Sequence, residues 1–167
     1  GTVDGIVTCP LNKEGLHLGG YAYAGHTDMI ADLTSTPDYR MSVFAGPMRA
    51  VHITAHLPLV EALQAVRTDR IAATVRIAHD ALARLSMPAA RIAVAGLNPH
   101  AGEAGALGRE EIDEIEPAVR ICRAEGIRCS GPYPPDTVFR RMGLGEFDLV
   151  VAMYHDQGHI PLKLVAM

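Results

Sequence analysis

Three histidines each stand just past an apolar run that reads as a buried strand: His56 after residues 50–55, His100 after residues 91–97, and His155 after residues 147–154. In open α/β sheets, ligands bind in the crevice outside the carboxyl ends of the strands, so residues distant in sequence converge there. Three imidazoles with an open fourth position suit a catalytic zinc or a related divalent ion, which polarises a hydroxyl or carbonyl group on a substrate. Their spacing matches no local zinc motif, and the case rests on repeated topological placement. Other chemistry-bearing groups lie close by in sequence. Asn98-Pro-His-Ala-Gly-Glu103 gathers an amide, an imidazole and a carboxylate on one loop, and Tyr154-His-Asp-Gln-Gly158 leads through Pro161 to Lys163. Asp156 beside a ligating histidine can orient its ring, and a lysine near a cation has a lowered pKa and exchanges protons at neutral pH. Gly25-His26-Thr27-Asp28 offers an imidazole and a hydroxyl for a phosphate or carboxylate. Asp136 reads either as the N-cap of a helix or as a catalytic carboxylate. His17, His52 and His79 read as structural.

The elements that must position these groups alternate. Runs rich in Val, Ile and Ala at 3–8, 41–45, 50–55, 91–96 and 147–153 predict strands, with helical periods between several of them, which is an α/β pattern. The spacing of Ile71, Val75, Ala78, Leu82 and Leu85 predicts a helix starting at an N-capping Thr68 and ending before Pro88. A second helix is expected from Pro58, with Leu59, Ala62, Leu63 and Val66 facing inward; its positive end favours a neutral imidazole at His56. A third holds Ile112, Ile115, Val119 and Cys122 on one face, with Pro117 kinking it or starting its second half and Gly126 ending it. The glycine-rich loops 15–25 and 102–108 carry neither Walker nor Rossmann spacing.

At 167 residues and 49% hydrophobic content the chain can bury a proper core. A net charge of −4 with interspersed signs argues against nucleic acid and an anionic membrane surface as partners. No apolar stretch approaches the roughly 18 residues of a membrane span, and the first residues lack the basic flank of a signal peptide, so a cytoplasmic location is expected. Cys9, Cys122 and Cys129 are odd in number and widely spaced, as expected for reduced thiols. The chain opens and closes within apolar runs, and an internal piece of a longer protein is expected.

Pro10-Leu-Asn-Lys-Glu14, Gly25-His-Thr27, His56-Leu-Pro-Leu59, Gly96-Leu-Asn-Pro-His-Ala-Gly-Glu103, Gly131-Pro with Asp136-Thr137, and Met153-Tyr-His-Asp-Gln-Gly158 through Lys163 together resemble the PdxA family, the 4-hydroxythreonine-4-phosphate dehydrogenases. The resemblance runs the length of the chain. It implies a fold similar to isocitrate and isopropylmalate dehydrogenases: two α/β domains with a cleft active site completed by the second subunit of a homodimer. Residues 12–146 would form the central metal, substrate and dimer domain, and residues 1–11 and 147–167 strands of a largely absent cofactor domain. The implied activity, in pyridoxal phosphate biosynthesis, is NAD- or NADP-linked oxidation of 4-phosphohydroxy-L-threonine with decarboxylation, using a divalent metal (zinc, magnesium, manganese or cobalt). The implied metal ligands are His56, His100 and His155. His26, Thr27 and Lys163 become substrate contacts, with Lys163 also a proton-transferring group, and Asp136 and Asp156 carboxylates near the metal. No cofactor-binding residue is implied within the chain, and turnover by the chain alone is not expected.

Two positions depart from the commoner family pattern. Asp28 stands where glutamate is frequent, and His159 where leucine is, the latter similar to a paralogous branch acting on D-threonate or D-erythronate 4-phosphate. A cis-dihydrodiol dehydrogenase of the same family is a further alternative. Outside the dehydrogenases, the same residues admit a metal-binding dimerisation module without turnover, or a metal-assisted hydrolase with Glu103 or Asp156 as base.

Overall fold

A computed structural model describes residues 5–23 and 25–166. The chain divides into two compact units at Tyr39/Arg40. The first carries two short helices. In α1 (Lys13–Leu18) the Asn12 side chain accepts from the Gly15 N–H, an N-cap of the usual kind. In α2 (His26–Leu33) the first turn is tied down by Asp28, which accepts from the Tyr39 hydroxyl at 2.9 Å. Of the expected strand at 3–8, residues 1–4 lie outside the described residues and 5–8 adopt no regular structure. The run is short, and Ile6 and Val7 are exposed.

The second unit is an α/β sandwich. Its sheet orders five strands as β1-β2-β5-β3-β4, namely β1 (Ser42–Ala45), β2 (Met48–His52), β3 (Ile92–Ala95), β4 (Cys129–Tyr133) and β5 (Leu149–Ala152). β1 pairs antiparallel with β2, and β2, β5, β3 and β4 run parallel. The helices are α3 (Leu59–Gln64), α4 (Thr68–Arg84), α5 (Glu116–Ala124), α6 (Pro135–Gly143) and α7 (His155–Ala166). The period of two along the strands sorts side chains to opposite faces. Val51, Ile92, Val94, Leu149 and Val151 pack with α4 and α5, whereas Ala50, Ala93, Ala95, Val150 and Ala152 pack with α6 and α7. The second face is mostly alanine, leaving room for its helices to lie close.

α4 buries Ile71, Val75, Ala78 and Leu82, as their spacing predicts, but Leu85, expected on the same face, is exposed beyond its last turn, and Thr68 is its first residue rather than its cap. The free N-terminal groups are satisfied from afar: Glu114 Oε2 accepts from the Thr68 N–H and from its hydroxyl, both at 2.7 Å. α3 begins after Pro58 as expected, with Ala62 and Val66 buried but Leu59 and Leu63 exposed rather than facing inward, and Gly126, at φ +86°, follows α5. Pro117 opens the second half of the third helical stretch; the first half, Glu111–Ile115, is a π turn. The wider turn shifts the helical phase, so Glu111 is buried and Ile112, expected inside, is half-exposed.

Two further elements differ from the sequence expectation. β4, where no strand is predicted, contains Gly131-Pro132; the strand lies at the sheet edge, where a residue without an N–H is tolerated. A β-carbon at Gly131 would lie 2.4 Å from Val94 O, so glycine is what lets β4 approach β3 there. Residues 147–167, expected as strands, contribute one strand to the middle of this sheet and then α7, with Pro161 inside the helix. The β-branched and proline content after Gly158 disguised a helix whose first turn starts at His155.

Candidate active site

Because β2, β5, β3 and β4 are parallel, their carboxyl ends share one edge of the sheet. His56 follows β2, His155 opens α7 directly after β5, His100 follows β3, and Asp136 lies in the first turn of α6 after β4. The topological premise drawn from the sequence therefore extends to a fourth strand. The strand ends are tied to one another by buried side chains. Thr54 Oγ1 donates to Met153 O at 3.0 Å, joining the chain after β2 to the chain after β5. Gln157 Oε1 accepts from the Met153 N–H at 2.7 Å, while its Nε2 donates to Gly96 O at 2.9 Å, joining β5 to β3.

His56 and His155 face one another with ring centroids 6.0 Å apart, and both line an open cavity of about 360 Å³ together with Tyr154, Asp156, Leu59 and Ala62. His155 Nδ1 donates to Asp156 Oδ1 at 2.6 Å. A carboxylate only accepts, so Nδ1 carries a proton, the arrangement in which a carboxylate orients an imidazole that ligates through Nε2. Two imidazoles and a carboxylate on one cavity are a donor set suited to zinc and similar divalent ions. Among the described residues, no three His, Cys, Asp or Glu side chains converge tightly enough to hold a metal ion.

His100 is exposed on the loop after β3 and has no ring contact with the other two histidines. Its loop is unusual: residues 100–104 all lie at positive φ, between +45° and +77°. L-residues pay for that conformation, and such strain persists only where the surroundings over-determine it. Glu111 supplies the constraint. Its Oε1 accepts from the N–H groups of Leu97 at 2.8 Å and Asn98 at 2.7 Å, and its Oε2 from Asn98 Nδ2 at 3.0 Å. Gly102 is part of the same clamp, since a β-carbon there would lie 2.5 Å from Glu111 Oε2.

Lys163 is exposed on α7, two turns beyond His155 and on the same side of the helix. Asp136 is exposed, as is Glu103. His26 and Thr27 stand at the start of α2 in the first unit, with Thr27 exposed. Cys9, Cys122 and Cys129 are free thiols. No helix among the described residues is long and apolar enough to cross a membrane.

The family model for the pyridoxal phosphate biosynthetic protein PdxA matches residues 1–167. The chain belongs to the PdxA family. D-threonate 4-phosphate dehydrogenase of Cupriavidus necator is 48% identical over 166 residues, which are 99% of this chain and 50% of that protein. The crystal structure of 4-hydroxythreonine-4-phosphate dehydrogenase from Klebsiella pneumoniae superposes with a TM-score of 0.89 at 52% identity, over 94% of this chain and 47% of that one. A terephthalate 1,2-cis-dihydrodiol dehydrogenase from Burkholderia xenovorans LB400 superposes with a TM-score of 0.81 at 34% identity, over 95% and 50% of the two chains. The chain thus spans about half the length of the PdxA relatives it matches. These close relatives are dehydrogenases, and the mixed α/β fold with its largely parallel sheet is theirs as well.

Three residues around these strand ends make contacts that the sequence does not announce. Glu111 sits in an acidic run that reads as a solvated helix face, and only the π turn carries it inward. Gln157 lies inside a recognised motif, yet its role needs both strand ends to be seen. His159 was noted only as a departure from the family pattern, and with α7 recognised as a helix it falls one turn from His155.

Proposed function

We propose that the complete protein carrying this chain oxidises the secondary hydroxyl of a 4-phosphorylated hydroxy acid with NAD or NADP, the resulting β-keto acid then losing carbon dioxide. The observation that carries this reading is the His56 and His155 pair on one cavity, with Asp156 on His155 Nδ1, at the carboxyl edge of a parallel sheet in a PdxA-family chain. His56 and His155 would hold a divalent ion, with His100 as third ligand, contributed by the partner subunit of a homodimer. Such an ion supplies Lewis acidity at the substrate's hydroxyl and neighbouring oxygen. Asp156 keeps the proton on Nδ1 of His155 and so keeps Nε2 free. Lys163 binds substrate and exchanges a proton with it, Asp136 stands near the metal, and His26 and Thr27 are further substrate contacts. The two-domain plan of isocitrate and isopropylmalate dehydrogenases, with residues 12–146 in the central domain, belongs to the same reading.

Two kinds of substrate fit this class. 4-Phosphohydroxy-L-threonine carries an amino group on the carbon next to the carboxylate, where D-threonate and D-erythronate 4-phosphate carry a hydroxyl. His159 and the likeness to the Cupriavidus necator protein favour the second. The test is NAD(P) reduction by the complete protein across both acids and the cis-dihydrodiol of terephthalate, with phosphate release followed in parallel. Reduction of NAD(P) with one of the phosphorylated acids supports the reading; phosphate release without reduction would replace it with a hydrolase.

A further inference from the structure

His155 is gripped on a second side, away from Asp156. The ring of His159 lies flat against it, with centroids 3.8 Å apart and planes 9° from parallel, and His159 is in turn held by His52 from β2, whose ring centroid is 4.6 Å away. Both supporting histidines are buried. Their hydrogen bonds have only one consistent arrangement. His52 Nδ1 lies 3.2 Å from Met41 O, and His159 Nδ1 lies 3.1 Å from His155 O. Carbonyl oxygens only accept, so each Nδ1 carries its proton. His159 Nδ1 is also 3.2 Å from His52 Nε2, which must therefore be the acceptor in that contact. The direction of the chain is thus His159 to His52 to Met41 O. Packing leaves the pair little freedom: a β-carbon at Gly158 would lie 2.4 Å from His52 Nε2, so the bare backbone of α7 is what admits the ring.

We propose that His159, locked by His52, is a positioning residue that fixes the plane of His155, so that stacking on one face and Asp156 on Nδ1 together aim Nε2 into the cavity shared with His56. The inference rests on the metal role proposed for His155. An imidazole on an exposed loop samples two torsions, whereas one clamped on a face and at an edge is already oriented for its ligand, and such supporting contacts contribute roughly 10- to 100-fold to metal affinity.

The test uses the complete protein and cobalt(II) as the probe, with affinity from calorimetry and ligand geometry from the visible d–d absorption. H159Q keeps a donor for His52 but removes the flat ring; H159F keeps the ring but removes the donor. H159Q is expected to weaken cobalt binding roughly 10-fold and to shift the d–d bands, while H159F, which keeps the stacked ring but loses its lock to His52, falls between H159Q and the parent in both readouts. Equal binding and spectra in H159Q and the parent, or an H159F as impaired as H159Q, would overturn the inference. H155A separates this from the metal reading itself: it should abolish tight binding, and if it binds cobalt like the parent, the metal assignment falls rather than the support from His159. Thermal unfolding of each variant confirms that the comparison is between folded proteins.

Discussion

Removing the Glu111 carboxylate should loosen the loop that carries His100 more than any other single change on that side of the sheet. Glu111→Ala strands two N–H groups, those of Leu97 and Asn98, which now donate to one buried carboxylate oxygen at 2.8 and 2.7 Å. Each such group costs about 1–3 kcal/mol when left buried and unpaired. Against this, His100, Ala101, Glu103 and Ala104 are non-glycine residues held at positive φ, each carrying about 1–2 kcal/mol of strain. Once the clamp is gone the loop can relax and recover part of that strain. The net expectation is a loss of about 2–4 kcal/mol, a large share of the roughly 5–15 kcal/mol that stabilises a domain. Glu111→Gln is the control. Its remaining oxygen still accepts from both backbone groups, and only the contact with Asn98 Nδ2 becomes donor against donor, so about 1–2 kcal/mol is expected. Denaturant unfolding gives the stabilities, and amide hydrogen exchange across residues 97–105 reads the loop directly. An alanine variant within about 1 kcal/mol of the parent with unchanged protection, or a glutamine variant as damaged as the alanine one, would refute the account of the clamp.

Gln157→Leu should cost about 2–4 kcal/mol in denaturant unfolding, because it leaves the Met153 N–H and the Gly96 carbonyl without the buried partner that joins them; a loss under about 1 kcal/mol would mean that the strand ends hold together without it. The acid limb of stability should respond to Glu114. Hydrogen bonding from the Thr68 hydroxyl is the main cause holding its pKa below the ordinary 4.5, with the Thr68 N–H and Arg67 acting in the same direction. A carboxylate with a depressed folded pKa contributes stability above its unfolded pKa, and that contribution is lost as the pH falls through the folded value. Glu114→Gln should therefore flatten the stability curve between about pH 5 and pH 3, and an unchanged acid limb would contradict the capping role.

Much of the scaffold was legible because its signals are local. α4 announces itself through Ile71, Val75, Ala78 and Leu82, and the buried strands through runs such as residues 92–95. What was hidden depends on partners distant in sequence. β4 is a strand because β3 lies beside it, although Gly131-Pro132 interrupts it with a residue that lacks an N–H. α7 is a helix although Ile160-Pro161 breaks the usual pattern, because its apolar Leu162 docks on the alanine face of the sheet. Glu111 is buried because a π turn shifts the phase, which no 3.6-residue period can show. The same holds for the site. His56 and His155 share a cavity as their strand-end positions imply, and His100 occupies the expected edge of the sheet on a loop of its own. The stacking of His159 on His155 emerges only once both are placed on one helix.

The most direct test of the central claim is NAD(P) reduction by the complete protein with D-threonate 4-phosphate and 4-phosphohydroxy-L-threonine, before and after chelation and again after a divalent ion is restored. The account predicts turnover of at least one of these acids, its loss on chelation, its recovery with added metal, and no recovery in H155A. Turnover that survives complete removal of metal, or a metal-restored rate unaffected by H155A, would contradict it.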